Sequence, residues 1–143
     1  MIEVRALVRN GGGRQEVRLE TNGRVHELAV PPRPDGRGSS VNGGELLFFA
    51  LATCYVNDVY REAARRGVEV TSILVQARGQ FAEAPGSPAE GISYDATVEG
   101  AAPEAELLAL LRATDELAEI HNTLRRGTPV ILARAAAIDT RAR

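Results

Sequence analysis

The stretch that decides the fold is residues 44–66, GELLFFALATCYVNDVYREAARR. Gly67 follows it, and glycine is the usual residue just past a helix end, so the stretch predicts one long helix. Nearly every residue from Leu46 to Val56 is apolar, and charges return only from Asp58 onward. A helix without a polar face must be covered on all sides. We therefore predict that the first three turns form a buried central helix and that the last two turns are exposed.

The chain before this helix is predicted to be a β meander over residues 1–30. Apolar and charged residues alternate along it, which is the two-residue period of a half-buried strand. Gly11-Gly12-Gly13 interrupts the alternation, and Asn22-Gly23 is a strong signal for a two-residue hairpin turn. Residues 31–43 are rich in proline and glycine and are predicted to be a loop.

The chain after the helix, residues 68–143, contains two more patterns of strands and one of a helix. Pro103 favours a helix start, and a stripe of apolar residues then runs to Leu124 before Gly127 stops the helix. The predicted strands here are 68–82, 91–99 and 129–138. The resulting order, βββ-α-ββ-α-β, indicates the α+β class, in a single domain of 143 residues. The alternative is a ferredoxin-like β-α-β-β-α-β core, because residues 24–138 also follow that order.

Composition narrows the classes of function. The net charge is −2 and the 17 basic residues, all arginine, are scattered, so no nucleic-acid partner is expected. No apolar run approaches the roughly 20 residues of a membrane span, and the alternating N-terminus is unlike a secretory signal. With one cysteine and no export signal, we expect a cytoplasmic protein. The chain lacks metal-ligand spacing and nucleotide fingerprints, so neither a metal nor a cofactor is predicted.

Cys54, the only cysteine, has two interpretations. Free cysteine is often a buried packing residue. It can instead be a reactive thiol, but a thiol with a pKa near 8.5 is only about 3% ionised at pH 7 and needs a nearby cation. The glycine run could let Arg14 reach such a thiol, or it could be no more than a flexible turn. His121 is similarly open, since it could pack on the apolar stripe or orient a substrate.

These segments together resemble the OsmC/Ohr family of osmotically inducible and organic-hydroperoxide-resistance proteins. The resemblance covers nearly the whole chain in matching order. It is carried by three stretches: GGGRQEVRLETNG from Gly11, SSVNGGELLFFALATCY from Ser39, and HNTLRRG from His121. The segment ending in Cys54 is the most specific of them.

The resemblance implies an OsmC-like intertwined homodimer with two thiol peroxidase sites at the subunit interface. Cys54 matches the cysteine that attacks an organic hydroperoxide and becomes a sulfenic acid. Arg14 matches the arginine that stabilises the thiolate, and Glu45 is the candidate for the glutamate that orients the arginine. The substrate pocket is predicted to include Phe48, Tyr55, Ala118 and His121.

Two departures from the family pattern bear on activity. The family's second cysteine, which closes a disulfide that a dithiol then reduces, falls at Ala118, so Cys54 would need an external thiol. The family glutamate lies ten residues before the reactive cysteine, whereas Glu45 lies nine before Cys54, a difference of about 100° around a helix.

Three functions remain open at this point. The first is a one-cysteine thiol peroxidase that reduces organic hydroperoxides with an external dithiol. The second is a non-catalytic homodimer that binds a small apolar ligand at the subunit interface. The third is a purely structural or regulatory dimer.

Overall fold

The structure, a computed structural model, describes residues 1–142. It has five strands and three α-helices in the order β-β-β-α-β-β-α-α, followed by a short 3₁₀ turn. The elements are β1 (Val4–Gly11), β2 (Arg14–Thr21), β3 (Arg24–Glu27), α1 (Gly43–Arg66), β4 (Val70–Phe81), β5 (Ala89–Gly100), α2 (Glu104–Leu117), α3 (Glu119–Arg125) and the 3₁₀ turn Thr140–Ala142. The predicted α+β class is confirmed.

Strands β1, β2 and β3 form the predicted meander. β1 and β2 pair antiparallel from Val4 opposite Thr21 to Gly11 opposite Arg14, and β3 pairs on the other edge of β2. The turn between β2 and β3 has positive φ at both Asn22 (48°) and Gly23 (82°). This is the turn type that the Asn-Gly pair favours, because its twist matches that of the strands.

A reciprocal cap begins α1. The backbone N–H of Glu45 donates to Asn42 Oδ1 at 2.9 Å, and the Asn42 N–H donates to Glu45 Oε2 at 2.8 Å. Each side chain thereby satisfies a backbone donor that the helix itself leaves unpaired. The cap explains why the helix starts at the end of the proline- and glycine-rich loop.

The burial of α1 differs from the prediction. In its first turns Phe48 is half-buried and Phe49 is 56% exposed, so these turns are not covered on all sides in one chain. Burial instead follows a single stripe, whose members recur every three or four residues and so share one helix face. They are Leu51, Tyr55, Asp58, Val59, Glu62 and Ala63. The prediction that the charged last two turns are exposed was therefore wrong for Asp58 and Glu62.

Glu62 is tolerated on this stripe because two arginines of the same helix neutralise it. Its Oε1 accepts from Arg65 Nη2 at 2.6 Å and from Arg66 Nε at 2.9 Å. These hydrogen bonds, that of Arg65 first, lower the pKa of Glu62 to about 2. A carboxylate paired in this way keeps its charge without leaving the buried face.

The chain divides into two compact units, and α1, β4 and β5 each contribute residues to both. The first unit is Met1–Ala50 with Ala77–Ile92, and the second is Leu51–Gln76 with the chain from Ser93 onward. The hydrophobic core lies in the second unit and consists of Tyr55, Val59, Ala63, Val68, Leu110 and Ala118. β4 and β5 pair with each other in a separate two-stranded sheet, so the single sheet of the ferredoxin-like alternative is not formed.

Two predictions for the C-terminal part were wrong. The second helix is not continuous, because Ala118, with an extended ψ of 111°, separates α2 from α3. The predicted last strand over 129–138 is not formed either, and its apolar Val130 and Leu132 are 99% and 84% exposed. A strand needs a partner for its backbone groups, and this segment has none among the described residues. Within the described chain no helix has the length and apolar character that crossing a membrane requires.

Candidate functional site

The thiol of Cys54 lies beside a buried carboxylate. Its Sγ is 3.4 Å from Asp58 Oδ2, and the thiol donates to that oxygen. The two residues are four apart on α1, which places them on the same face of the helix. Cys54 itself is half-buried, whereas Asp58 is 5% exposed.

A second carboxylate, from α3, completes the surroundings of the sulfur. Glu119 Oε2 lies 3.9 Å from Cys54 Sγ. Arg61 links the two acids, since its Nη2 is 2.8 Å from Asp58 Oδ1 and 3.3 Å from Glu119 Oε1. We call Cys54, Asp58, Arg61 and Glu119 the thiol cluster. With both carboxylates ionised and the thiol neutral, its charge is two negative and one positive, or −1.

The electrostatics of the thiol cluster favour the protonated thiol. Burial raises the pKa of Cys54, and the charges of Asp58 and Glu119 raise it further, while a hydrogen bond from the backbone of Ile120 opposes them. Burial also raises the pKa of Asp58, against the hydrogen bond from Cys54 and the charge of Arg61. The pKa of Glu119 is lowered by a hydrogen bond that its carboxylate accepts from its own backbone N–H, and by the charge of Arg61. The neutral thiol is the form of Cys54 that these surroundings favour.

The thiol cluster also has the donor types of a metal site. One donor atom each from Cys54, Asp58 and Glu119 lies within 4.8 Å of the others. Arg61, however, already supplies a positive charge to both carboxylates. Three donor atoms whose carboxylates already pair with the Arg61 guanidinium are a weak basis for a metal centre. The absence of a metal therefore stays our prediction.

Next along α1, buried Tyr55 belongs to an aromatic group with half-buried Tyr94 and buried His121. The ring centroids are 4.8 Å apart for Tyr55 and Tyr94, and 4.7 Å apart for Tyr94 and His121. The Tyr55 hydroxyl donates to the carbonyl of Leu111 at 2.7 Å, and the Tyr94 hydroxyl donates to Asp115 Oδ1. Burial, followed by the charge of Asp115, raises the pKa of Tyr55 to about 12.

His121 is buried in this group as a neutral ring. It is 4% exposed, and neither ring nitrogen has a hydrogen-bond partner among the described residues. Burial lowers its pKa, and the charge of Arg125 lowers it further, whereas Asp115 opposes the shift. An imidazole without partners is costly to protonate there, so His121 packs as an uncharged aromatic side chain.

Ala118 is fully buried at the break between α2 and α3. The extended conformation of Ala118 turns the chain so that α3 starts at Glu119, the residue that contacts Cys54. Ala118 is therefore next in sequence to the thiol cluster, at the position where the family resemblance places a second sulfur.

The other predicted site residues belong to the first unit. Arg14 is the exposed first residue of β2, directly after Gly12 and Gly13, which have φ of 58° and 75°. Glu45 is engaged in the cap of α1 described above. Phe48 packs on the ring of Phe81, with centroids 6.3 Å apart. The second unit thus brings together Cys54, Tyr55, Ala118 and His121, while Arg14, Glu45 and Phe48 belong to the first.

Sequence reasoning missed the partners of the thiol. Asp58 and Arg61 lie four and seven residues after Cys54, a helical spacing that could have indicated a shared face. The charge pattern alone instead predicts an exposed helix end for both residues. Glu119 gave no such signal, because it is 65 residues away along the chain.

A groove of about 310 Å³ lies along α3 and is open to solvent. Its lining residues are Glu119, Asn122, Thr123, Arg126 and Thr128. Glu119 is common to the groove and the thiol cluster. We call it the α3 groove.

Comparison with known proteins assigns the family. Residues 36–133 match the family described as OsmC-like protein, and the chain belongs to that family. An uncharacterized protein, YmaD of Bacillus subtilis, is 29% identical over 69 residues. That alignment covers 48% of this chain and 46% of YmaD, so the matched part spans just under half of that relative.

Solved structures show the same fold. An OsmC-like protein of Mycoplasma pneumoniae superposes with a TM-score of 0.62 at 15% identity, over 87% of each chain. The organic hydroperoxide resistance protein OsmC of Legionella pneumophila gives 0.53 at 19% identity, over 87% of this chain and 89% of that one. The predicted OsmC-like fold is confirmed by these likenesses.

Proposed function

We propose that this protein is a one-cysteine thiol peroxidase, which reduces organic hydroperoxides at Cys54 and is recycled by an external thiol. Membership in the OsmC-like family supports the reaction class, since a relative in fold is an organic hydroperoxide resistance protein. The observation that carries the proposal is the hydrogen bond from the Cys54 thiol to buried Asp58 at 3.4 Å, with Arg61 holding that carboxylate in place.

In the oxidative half-reaction, Asp58 accepts the thiol proton as Cys54 Sγ attacks the terminal oxygen of the hydroperoxide. The S–O bond forms, the O–O bond breaks, and the departing alkoxide takes the proton back from Asp58 and leaves as the alcohol. Cys54 becomes a sulfenic acid, so the sulfur is oxidised and the peroxide is reduced. A carboxylate that takes up the proton is a general base, which removes the need for a preformed thiolate.

In the reductive half-reaction, an external thiol attacks the sulfenic sulfur and releases water, leaving a mixed disulfide. A second thiol equivalent attacks this disulfide, restores Cys54 and leaves as part of an external disulfide. Cys54 is the only cysteine of the chain, so the first step cannot be intramolecular. Excess peroxide should therefore drive Cys54 on to sulfinic acid.

The raised pKa of Cys54 has a consequence for rate. The thiol is neutral at pH 7, so only the route through Asp58 operates there, and direct attack by the thiolate should add to the rate as the pH rises toward the thiol pKa. This dependence is opposite to that of an enzyme whose cysteine is already a thiolate at neutral pH.

The test compares Asp58→Asn with wild type in two assays on the same protein. Removing the negative charge should lower the pKa of Cys54, measured by the pH dependence of its alkylation. Removing the base should nevertheless slow consumption of an organic hydroperoxide in the presence of a dithiol by about tenfold or more. Cys54→Ser, which lacks the thiol, measures the background rate of peroxide consumption. A faster peroxide reaction in Asp58→Asn would mean that Asp58 is not the proton acceptor.

A non-catalytic homodimer that binds a small apolar ligand is the second candidate. The observation that favours it is the same raised pKa of Cys54, in a chain with no second cysteine. If wild type and Cys54→Ser consume peroxide equally at every pH up to 9.5, this second function replaces the first.

A further inference from the structure

We propose that the α3 groove binds the external thiol, and that this thiol is a small zwitterion of the cysteinyl-peptide class. Such a molecule carries an ammonium beside its thiol and a carboxylate at the other end. The inference rests on the proposed function, because a peroxidase without a second cysteine needs an external thiol to attack the sulfenic sulfur of Cys54.

The position of the groove supports this assignment. Glu119 lines the groove, and its Oε2 is 3.9 Å from Cys54 Sγ. A ligand whose ammonium pairs with Glu119 therefore holds an adjacent thiol close to the oxidised sulfur. The volume of about 310 Å³ is at the small end of ligand sites, which suits a dipeptide or tripeptide rather than a protein domain.

The charges of the groove are complementary to a zwitterion. Glu119 has a lowered pKa and is ionised at pH 7, and its side chain is 64% exposed. Its bond to Arg61 is a surface ion pair, which a ligand ammonium can share at little cost. At the other end, Arg126 is exposed, and within residues 1–142 its side chain makes no hydrogen bond or ion pair. An unpaired guanidinium is suited to a carboxylate.

The spacing of these charges fits the same class of molecule. Arg126 follows Glu119 by seven residues, which is about 10 Å along a helix. The charged ends of an extended dipeptide are about 7 Å apart, and the long arginine side chain spans the remainder. Asn122 and Thr123 line the interval. Uncharged dithiols can reach Cys54 but gain nothing from either end of the groove.

The experiment separates this proposal from the peroxidase proposal. Cys54 is first converted chemically to its mixed disulfide with neutral 2-thiopyridine, so no peroxide reaction is needed. Release of pyridine-2-thione is then followed as cysteinylglycine or cysteinylglycine amide attacks. The two probes share the thiol and the ammonium and differ only in the carboxylate.

In wild type, cysteinylglycine should react about two- to fivefold faster than its amide, the gain of one exposed ion pair. In Arg126→Ala the ratio should fall to about one, and in Arg126→Glu it should fall below one. Arg112→Ala, an exposed arginine on α2, should keep the wild-type ratio. A wild-type ratio of one, or a ratio that survives Arg126→Ala, overturns the groove assignment.

A separate measurement reports on the peroxidase proposal. One equivalent of organic hydroperoxide is added to the reduced protein, and the sulfenic acid on Cys54 is trapped and counted by mass spectrometry. Absence of sulfenic acid refutes the peroxidase proposal whatever the probe ratios are, and the probe ratios decide the groove assignment whether or not sulfenic acid forms.

Discussion

The β1–β3 meander and the core of the second unit both follow clear apolar patterns, yet only the core is covered. Val59 and Leu110 are fully buried, whereas Val4 and Val8 of β1 are 71% and 64% exposed. The two-residue and the 3.6-residue periods each identify an apolar face. Neither period says what that face packs against, and in the meander Val4 and Val8 are left exposed.

The largest test of this contrast is Leu110→Ala against Val8→Ala. Leu110 is fully buried and Val8 is 64% exposed. Truncation at Leu110 should lower the free energy of unfolding by about 2–5 kcal/mol, and truncation at Val8 by less than about 1 kcal/mol. Urea unfolding at low protein concentration measures both. Equal losses would mean that the meander is as well packed as the core.

The second test asks what covers the meander. We propose that a second copy of the chain does so in a homodimer, as the family resemblance implies, because exposed apolar strands are usual interaction surfaces. Sedimentation at micromolar concentration should give a dimer. Val8→Glu should weaken dimerisation by at least about tenfold, since it places a charge on the apolar strand, and Glu16→Gln on the exposed part of β2 should not. A monomeric wild type would contradict the proposal.

The third test concerns how α3 is held in the second unit. Tyr94 on β5 donates to Asp115 on α2, which also accepts from Arg125 on α3 at 2.7 Å. Tyr94→Phe removes one donor to a charged acceptor and should cost about 1–2 kcal/mol in unfolding free energy. Tyr60→Phe, at a site 44% exposed, should cost nothing measurable. An intact stability in Tyr94→Phe would mean that the ion pair alone holds α3.

The smallest expected effect is the pH dependence due to His121. Burial against the rings of Tyr55 and Tyr94 is the main cause that lowers its pKa in the folded protein. The charge of Arg125 lowers the pKa further, and the charge of Asp115 opposes the shift. Below about pH 6.5 the unfolded chain binds a proton that the folded chain does not, so stability should fall as the pH is lowered.

His121→Phe should remove this part of the slope between pH 7.5 and 5.5, because the ring shape remains but the titration is lost. His26→Phe on exposed β3 should leave the slope as in wild type. Thermal unfolding at several pH values compares the three proteins. An unchanged slope in His121→Phe would place the acid sensitivity elsewhere.

Much of the chain's order was readable from local chemistry. Residues close together in sequence determine both the Asn22-Gly23 turn and the start of α1. That Cys54 is the only cysteine follows from the composition. Local rules therefore sufficed for the meander, the central helix and the α+β class. The OsmC-like resemblance added the expectation of a reactive Cys54, whose chemistry stays a prediction.

Only the tertiary structure decided the surroundings of that cysteine. Glu119 reaches Cys54 because the extended backbone at Ala118 breaks the second helix, and the residue pattern there was equally compatible with one continuous helix. Asp58 can be buried because it forms an ion pair with Arg61. A hydropathy pattern does not predict such a pairing. The segment 129–138 has the composition of a strand but no partner among the described residues. Strand formation and the pKa of a thiol both depend on groups distant in sequence, and hence on the packed fold.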